Sequence, residues 1–340
     1  MNQHERSTPL GLARSNGAIE LEPRMPSDFR SPLPFRKRNL AMTVSGIAWA
    51  AIGVGVAIEL LLRCFGLGNP LLYLADDQIG YLLAPNQTCR RFGKRIAINA
   101  FSMRSPAICP TRPPDALRVL LLGDSIAFGS RHDQADLISE QICRSLKGAI
   151  EVLNASASSW SPRNELAYLK RFGCFESQVV VLLINTDDLF GSPPNPGIVG
   201  RDRHYPSRKP LLAIAELIRR YRSPTVPPIA ESGDIVGVNL QAIAQIAALA
   251  AQANAAFILA MIPLRRELEG SRDYEMQARQ RLQDLTVQRQ ISYIDLLDRF
   301  QTAPHPAALY YDSIHLSIAG NQLVSQVLKQ AIEAHDVSRH

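Results

Sequence analysis

The chain has 340 residues, of which 46% are hydrophobic and 20% are charged, as in a globular protein long enough to bury a sizeable core. Its formal net charge of +6 would suit a nucleic-acid-binding protein, but the basic residues are scattered and form no stripe interleaved with aromatic residues. Composition and charge therefore argue against nucleic acid as a partner.

The first long apolar run extends from Leu40 to Ile58, and residues 60–62 continue it beyond Glu59. About 20 apolar residues cross a bilayer as a helix. The alternative is a buried helix of a soluble enzyme, but such a helix usually has a polar stripe, which this run lacks. The sequence predicts a transmembrane helix over 39–63.

Basic residues precede this run as "RKR" at 36–38, so the positive-inside rule places the N-terminus in the cytoplasm. A cleaved signal peptide is the competing hypothesis, but "ELLLRCFGLGNP" follows the run in place of a small-residue cleavage site. We expect an uncleaved, single-pass anchor in the cytoplasmic (inner) membrane, with the remaining chain on its periplasmic or extracellular side. Residues 1–38, rich in Pro, Ser and charge, read as a disordered cytosolic tail.

Residues 64–116 are turn-rich, suggest short strands and close with "CPTRPPD", which predicts a connector. The chain has five cysteines, none in a CxxC pair, so zinc-ligand spacing is absent. In an oxidising compartment Cys89 and Cys109 could pair.

From 117 to 335, continuous apolar runs alternate with amphipathic stretches, which predicts an α/β domain: a doubly wound, three-layer αβα sandwich with a parallel sheet. The predicted strands are Leu117–Leu122, Ile150–Leu153, Val179–Ile184, Ala256–Met261 and Ile291–Asp295. The predicted helices are 133–147, 162–172, 239–253, 274–289 and 317–334. The segment 191–232 is long for a connection in such a fold, and is either a lid or binding loop or an insertion without a role in the chemistry.

Gly-Asp-Ser follows the first of these strands, so Ser125 is either a nucleophile or only the cap of a helix. A nucleophilic serine needs a base, and the base needs an anion on its other nitrogen. The stretch "YYDSIHLSIAGNQL" supplies Asp312 and His315 in a D-x-x-H arrangement. Such a pair alone is often a cap and a surface residue, but its occurrence together with Gly-Asp-Ser predicts a triad of Ser125, His315 and Asp312.

With "GDS" at Gly123–Ser125 and "DSIHLSIAG" at Asp312–Gly320, in this order, residues 117–335 resemble the SGNH/GDSL family of serine hydrolases and acyltransferases. The resemblance implies a flavodoxin-like fold with five parallel strands, in which the serine is the nucleophile, the histidine the base and the aspartate its orienting acid. The lead-in "DDQIGYLLAPNQ…INAFSMRSP" is similar to the extension that precedes the hydrolase domain in membrane-anchored bacterial relatives.

The resemblance also implies three oxyanion donors: the nucleophile's own N–H, a glycine N–H after the second strand and an asparagine side chain after the third. Ser156 takes the glycine's place, and its N–H suffices unless the backbone needs a positive φ. In "NTDD", Asn185 takes the place of the family's glycine and Asp187 that of its asparagine. An ionised carboxylate only accepts hydrogen bonds. Three alternatives stay open: Asn185 reaches the site, Asp187 is held protonated, or activity is slow or lost.

The leading hypothesis is a membrane-anchored esterase that removes O-acyl groups from an extracytoplasmic ester through an acyl-serine at Ser125. O-acetylated polysaccharide of the cell envelope is the preferred substrate class, ahead of lipid or small esters. A sugar hydroxyl as acceptor would make the same triad an O-acetyltransferase, and the Asp187 departure leaves a non-catalytic glycan-binding or scaffold protein as the contrasting hypothesis. Phosphate-loop, dinucleotide and zinc-protease motifs are absent from the sequence, so neither a cofactor nor a metal is predicted.

Overall fold

The computed structural model describes residues 35–337 except 92 and 223. Of the tail predicted over 1–38, residues 1–34 therefore lie outside the described residues, and residues 35–38 are already helical. Contacts between residues divide the chain into one unit over Met1–Gly53 and a second, compact unit over Val54–His340.

Helices and strands follow the order expected of an α/β protein. Within the described residues the helices are α1 (Phe35–Cys64), α2 (Ser125–Phe128), α3 (Ile138–Ser145), α4 (Pro162–Phe172), α5 (Ala213–Arg222), α6 (Ile235–Gln252), α7 (Asp273–Arg289), α8 (Leu297–Gln301) and α9 (Ile318–Val337). The strands are β1 (Tyr73–Asp76), β2 (Gly80–Leu83), β3 (Gln87–Arg91), β4 (Lys94–Ile98), β5 (Ala116–Gly123), β6 (Ala149–Ser156), β7 (Val179–Asn185), β8 (Ala256–Ile262) and β9 (Ser292–Asp295).

The large sheet has five parallel strands in the order β6-β5-β7-β8-β9. All the predicted strands are present, and the largest difference is that β6 runs to Ser156 rather than Leu153. The predicted fold class, a three-layer αβα sandwich, is confirmed. The strand order reverses between β5 and β7, and ligands of such sheets bind beyond the carboxyl ends of the strands at this point.

Both faces of the sheet are covered, as the continuous apolar strands require. In β5, Leu120 and Leu122 belong to the core cluster that contains residues of α4, α6 and α7, whereas Val119 and Leu121 belong to the cluster formed with α3 and α9. All four are at most 1% exposed, and each such burial contributes about 1.5–3 kcal/mol. This packing holds β5 in place on both faces, and so fixes the position at which the strand ends and the Gly-Asp-Ser turn begins.

Helix α1 contains a stretch that is apolar enough to cross a membrane, Met42–Cys64, with a mean hydropathy of 1.9 and none of its most apolar window buried. Its large side chains face outwards, Trp49 with 71% of its surface exposed. Helix α6 passes the same test of length and composition, but Ile243 and Ile246 are fully buried against the sheet. Helix α6 is therefore a core helix, and α1 is the candidate membrane span.

Residues 64–116 form two antiparallel hairpins, β1 with β2 and β3 with β4. Tyr81 and Ile96 of these hairpins are 3% and 0% exposed and belong to the same core cluster as the sheet. This segment is therefore part of the compact unit and packs into the same core as the sheet. All five cysteines lie in the described residues as free thiols, Cys89 buried and Cys109 exposed, so the pairing considered above is not formed.

Candidate active site

Ser125 begins α2 directly after β5. The Asp124 carboxylate caps this helix, accepting the N–H of Ile126 at 2.8 Å. A Cβ on Gly123 would lie 2.8 Å from the Ala127 Cβ and 2.9 Å from a backbone oxygen, so glycine is required for so sharp a strand-to-helix turn. The turn leaves Ser125 half-buried at the sheet's carboxyl edge.

Asp312 and His315 lie in the loop before α9. Asp312 Oδ1 accepts the N–H groups of Ile314 and His315 at 2.9 and 2.8 Å, which closes the turn. His315 Nδ1 lies 2.9 Å from Asp312 Oδ2, and its Nε2 lies 3.0 Å from Ser125 Oγ. The structure thus brings the three predicted triad side chains into one hydrogen-bonded line.

Partial burial acts to raise the pKa of Asp312, but the hydrogen bonds from the two backbone N–H groups and from the His315 ring together hold it below its ordinary value. The carboxylate therefore stays charged over the range in which imidazole gains and loses its proton. A charged partner on Nδ1 favours the tautomer that leaves Nε2 free to accept a proton from a serine.

Arg104, which sequence reasoning did not single out, fixes the backbone after α2. Its buried guanidinium donates to the carbonyl oxygens of Phe128, Gly129 and His132 at 2.7, 2.5 and 2.7 Å. Burial lowers the pKa of Arg104 to about 10, so the group remains a cation at neutral pH. No local pattern marks this role, because the carbonyls lie 24 to 28 residues further along the chain.

His132, seven residues after Ser125 in the chain, contacts the loop that carries His315. Its Nε2 lies 2.9 Å from the carbonyl oxygen of Leu316, next to His315. Burial lowers the pKa of His132, which favours a neutral ring that donates its Nε2–H to this oxygen. His132 thus ties the loop of His315 to the loop after α2.

A shallow pocket opens beside the serine. The guanidinium of Arg131 lies 4.4 Å from the ring centroid of Tyr311 and donates to its hydroxyl at 2.7 Å, and Tyr311 is 57% exposed. The lining residues are Ser125, Ile126, Gly129, Ser130, Arg131, His132, Tyr311, His315, Leu316 and Asn321. Sequence reasoning missed this ring and cation, although Tyr311 directly precedes the D-x-x-H pair.

Asn185, one of the oxyanion candidates, is 2% exposed and its amide is committed elsewhere. Nδ2 donates to Asp124 Oδ2 at 3.0 Å and to Asp188 Oδ2 at 2.9 Å, while Oδ1 accepts the N–H of Asp187 at 2.8 Å. The Asp187 side chain is 52% exposed, and its carboxylate lies 3.5 Å from the Arg266 guanidinium. Neither side chain is directed to a site beside Ser125 by these contacts.

Three buried carboxyl groups lie behind the serine. Asp124, Asp188 and Glu165 are all at most 6% exposed. Burial raises the pKa of each, and for Asp188 and Glu165 the neighbouring carboxylates raise it further. Both Glu165 oxygens are without a hydrogen-bond partner among the described residues. Asn185 is the amide that bridges two of these three groups.

Ser156, the remaining oxyanion candidate, is the last residue of β6, aligned with Gly123 of β5. It is fully buried and its hydroxyl donates to Asn154 Oδ1 at 2.5 Å. The residue of this segment with a glycine-like backbone is Ser159, at φ 61, which sequence reasoning missed. The Tyr81 hydroxyl donates to the carbonyl oxygen of Ser158 at 2.6 Å and so holds this turn.

Metal-ligating clusters of three or more His, Cys, Asp or Glu residues are absent from the described part of the chain.

Comparison with known proteins identifies the family. Residues 121–323, more than half of the chain, match the model of the GDSL-like lipase/acylhydrolase family. Similar solved structures include a member of the lipolytic G-D-S-L family from Veillonella parvula, with 13% identity over 62% of this chain and 94% of that chain and a TM-score of 0.41.

A lipase/acylhydrolase from Enterococcus faecalis is 14% identical over 64% of this chain and 95% of that chain, with a TM-score of 0.41. An acetylxylan esterase from Geobacillus stearothermophilus is 14% identical over 65% of this chain and 95% of that chain, with a TM-score of 0.43. The search of the curated proteins found no match. On the strength of the family match, the chain belongs to the GDSL-like lipase/acylhydrolase family and is a serine hydrolase of the esterase type.

Proposed function

We propose that the protein is a serine esterase that removes O-acyl groups through an acyl-enzyme intermediate on Ser125. The observation that carries the proposal is the hydrogen-bonded line from Ser125 Oγ to His315 Nε2, at 3.0 Å, and from His315 Nδ1 to Asp312 Oδ2, at 2.9 Å. Nucleophile, base and orienting acid lie within the distances that proton transfer requires.

In this mechanism His315 Nε2 accepts the hydroxyl proton as Ser125 Oγ attacks the ester carbonyl carbon. The tetrahedral intermediate collapses with cleavage of the C–O bond to the alcohol, which leaves with the proton from His315. A water molecule then gives a proton to His315 and attacks the acyl-serine, which releases the carboxylic acid and restores the hydroxyl. Asp312 holds the imidazole in the required tautomer and stabilises the imidazolium ion.

For the oxyanion we propose two backbone donors, the N–H of Ser125 and the N–H of Ser159. Gly123 and Ser156 are aligned across neighbouring parallel strands, so the turns that follow them lie side by side at the sheet's carboxyl edge. The positive φ of Ser159 supports its taking the part of the glycine that the resemblance implies. Lack of a side-chain donor costs about 3–4 kcal/mol of transition-state stabilisation, so turnover is slow relative to sites with all three donors.

The exposure of the site favours water as the acyl acceptor. The His315 and Asp312 side chains are 36% and 37% exposed, and a site this open gives water ready access to an acyl-serine. We therefore propose hydrolysis rather than acyl transfer to a sugar.

The preferred substrate class is O-acetylated polysaccharide of the cell envelope. A shallow, open pocket suits a substrate that continues beyond the reacting group, and the exposed Tyr311 ring with Arg131 beside it offers a flat face and a donor to a sugar. We also propose that α1 anchors the chain in the cytoplasmic membrane, since the basic residues at 36–38 favour a cytoplasmic N-terminus and an extracytoplasmic hydrolase domain.

The test is turnover of p-nitrophenyl acetate and release of acetate from O-acetylated polysaccharide by the full-length protein in detergent. We expect Ser125→Ala and His315→Ala each to lower kcat/KM by about 10³-fold or more. His305→Ala, at an exposed histidine outside the pocket, is the matched control and should retain the wild-type rate. A wild type as inert as Ser125→Ala, with and without sugar acceptors, would refute the proposal, whereas turnover only with an acceptor would make it a transferase.

A further inference from the structure

The segment 191–232, which the sequence left open as a lid or an insertion, contains the amphipathic helix α5. Ile214, Leu217, Ile218 and Tyr221 follow the spacing i, i+3, i+4 and i+7, which places them on one face. Their exposed fractions run from 38% for Ile214 to 92% for Tyr221. Each of these four side chains thus keeps more than a third of its surface exposed in the structure.

The opposite face of α5 lies against the protein. Ala213 and Glu216 are 0% and 5% exposed, and Glu216 Oε2 accepts the N–H of Gly68 at 2.6 Å. Helix α5 therefore packs against the rest of the protein, even though its apolar face is exposed. Helix α5 is docked by its polar face and presents an apolar face outwards.

The N-terminus of α5 is bonded to the last turns of α1. Glu59 Oε1 and Oε2 accept the N–H groups of Ala213 and Ile214 at 2.8 and 3.2 Å, and Arg63 donates to the carbonyl oxygen of Leu211 at 2.9 Å. The apolar stretch of α1 has 23 residues, or about 35 Å of helix, and the hydrocarbon core of a bilayer is about 30 Å thick. Glu59 and Arg63 therefore lie where α1 leaves the hydrocarbon, and they hold α5 at that level.

Basic side chains surround the polar side of α5. Arg203, Arg208, Arg219 and Arg220 line a shallow cavity beside the helix. The carboxylate in this cavity, Glu216, is already matched by Arg220 at 2.9 Å. The cavity thus has an excess of positive charge at the level of the lipid phosphates.

We propose that α5 is an interfacial membrane helix. Its apolar face lies in the boundary between headgroups and acyl chains of an anionic phospholipid bilayer, and the arginines contact the phosphates, in the manner of helices with an apolar face and a basic polar face. The proposal rests on α1 spanning the membrane. A second copy of the chain is the less favourable occupant, because its own arginines would face those of the first.

The contact of α5 with the membrane surface restricts the orientation of the domain, which the transmembrane helix alone does not. A single transmembrane helix leaves a domain free to rotate and tilt, whereas a second contact at the interface sets which side of the domain faces the bilayer. The sheet's carboxyl edge, with Ser125, is then held in one orientation to the membrane surface.

The test uses single tryptophan probes in the full-length protein, reconstituted in vesicles of phosphatidylcholine and phosphatidylglycerol with or without brominated acyl chains. Trp49→Phe provides the background, in which Trp160, 2% exposed in the core, gives a constant emission. Leu217→Trp places a probe on the apolar face of α5. Val287→Trp, at a position on α7 that is 74% exposed, is the matched control.

We expect the emission of Leu217→Trp to shift to shorter wavelength and to be quenched by brominated lipid, while Val287→Trp keeps a solvent-like emission without quenching. Adding Arg208→Glu and Arg219→Glu, at two arginines of the cavity, should reduce the quenching of Leu217→Trp. An unquenched Leu217→Trp overturns the proposal, and if its emission is nevertheless shifted, protein covers the face, as in a dimer. Quenching of Trp49 in the otherwise unaltered chain reports separately whether α1 lies in the bilayer.

Discussion

Replacement of Asn185 by alanine removes the amide that bridges two buried carboxyl groups. Its Nδ2 donates to Asp124 at 3.0 Å and to Asp188 at 2.9 Å, and its Oδ1 accepts the N–H of Asp187 at 2.8 Å. A hydrogen bond to a charged group contributes about 1.5–3 kcal/mol. The buried carboxyls can respond by taking up a proton, which limits the loss. We expect Asn185→Ala to lower the free energy of unfolding by about 2–4 kcal/mol, a large part of the 5–15 kcal/mol typical of a domain.

The loss of unfolding free energy caused by Asn185→Ala should increase with pH. Burial raises the pKa of Asp124 and Asp188 in the folded state, and removal of their donor raises it further. A carboxyl whose pKa is higher in the folded than in the unfolded chain binds more protons when folded, so its stabilisation is complete below the unfolded pKa and falls as pH rises through the folded pKa. The penalty of Asn185→Ala is therefore expected to be larger at pH 8 than at pH 5.

The assay is urea denaturation followed by circular dichroism at both pH values. Asp187→Ala is the matched control, because that exposed carboxylate lies 3.5 Å from Arg266 and such a surface pair contributes less than about 1 kcal/mol. Asp187→Ala should also keep the wild-type turnover of p-nitrophenyl acetate. A penalty for Asn185→Ala below about 1 kcal/mol, or one equal at the two pH values, would refute the reasoning.

Three further substitutions probe the surroundings of the site. Glu165→Gln replaces a buried carboxyl whose two oxygens have no partner among the described residues, and burial raises the pKa of this carboxyl well above its ordinary value. We expect the free energy of unfolding to rise by about 1 kcal/mol at pH 8 and to change little at pH 5. Parallel pH dependences of unfolding for wild type and variant would contradict this. Arg104→Met leaves three buried carbonyl oxygens without their donor and should lower the free energy of unfolding by about 3 kcal/mol or more, which thermal denaturation measures. Tyr81→Phe keeps the packing but removes the 2.6 Å hydrogen bond to the carbonyl of Ser158, so kcat should fall about tenfold with little loss of stability. In Tyr205→Phe, which loses a 3.4 Å bond to the same oxygen, kcat should fall less. Equal effects of the two substitutions on kcat would count against the role assigned to Tyr81.

The parts of this fold that the sequence predicts are those that depend on local pattern. Residues 179–185 are apolar up to Asn185 and form a strand buried on both faces. The Gly-Asp-Ser turn was placed correctly at the end of β5, since a glycine, a capping carboxylate and a short helix follow one another within a few residues. The three side chains predicted as a triad lie within hydrogen-bond distance because sheet topology brings the ends of the chain's first and last α/β elements together.

The oxyanion region could not be predicted in the same way, because its geometry is set by distant residues. The positive φ of Ser159 belongs to a turn whose preceding carbonyl is held by Tyr81, 77 residues earlier in the chain. Likewise, the direction of the Asn185 amide is decided by Asp124, 61 residues away. A motif comparison reads residue types at fixed spacings and contains no information on such contacts.

Two of the residues that hold the site in shape, Arg104 and Tyr81, lie before the part of the chain that matches the family model, which begins at residue 121. Arg104 fixes the backbone after α2, Tyr81 fixes the turn after β6, and both belong to the segment 64–116. Since each removal leaves buried polar groups of the site without partners, a fragment that starts at residue 117 should fail to present an ordered serine. We therefore expect the smallest active unit to include the two N-terminal hairpins, β1 with β2 and β3 with β4.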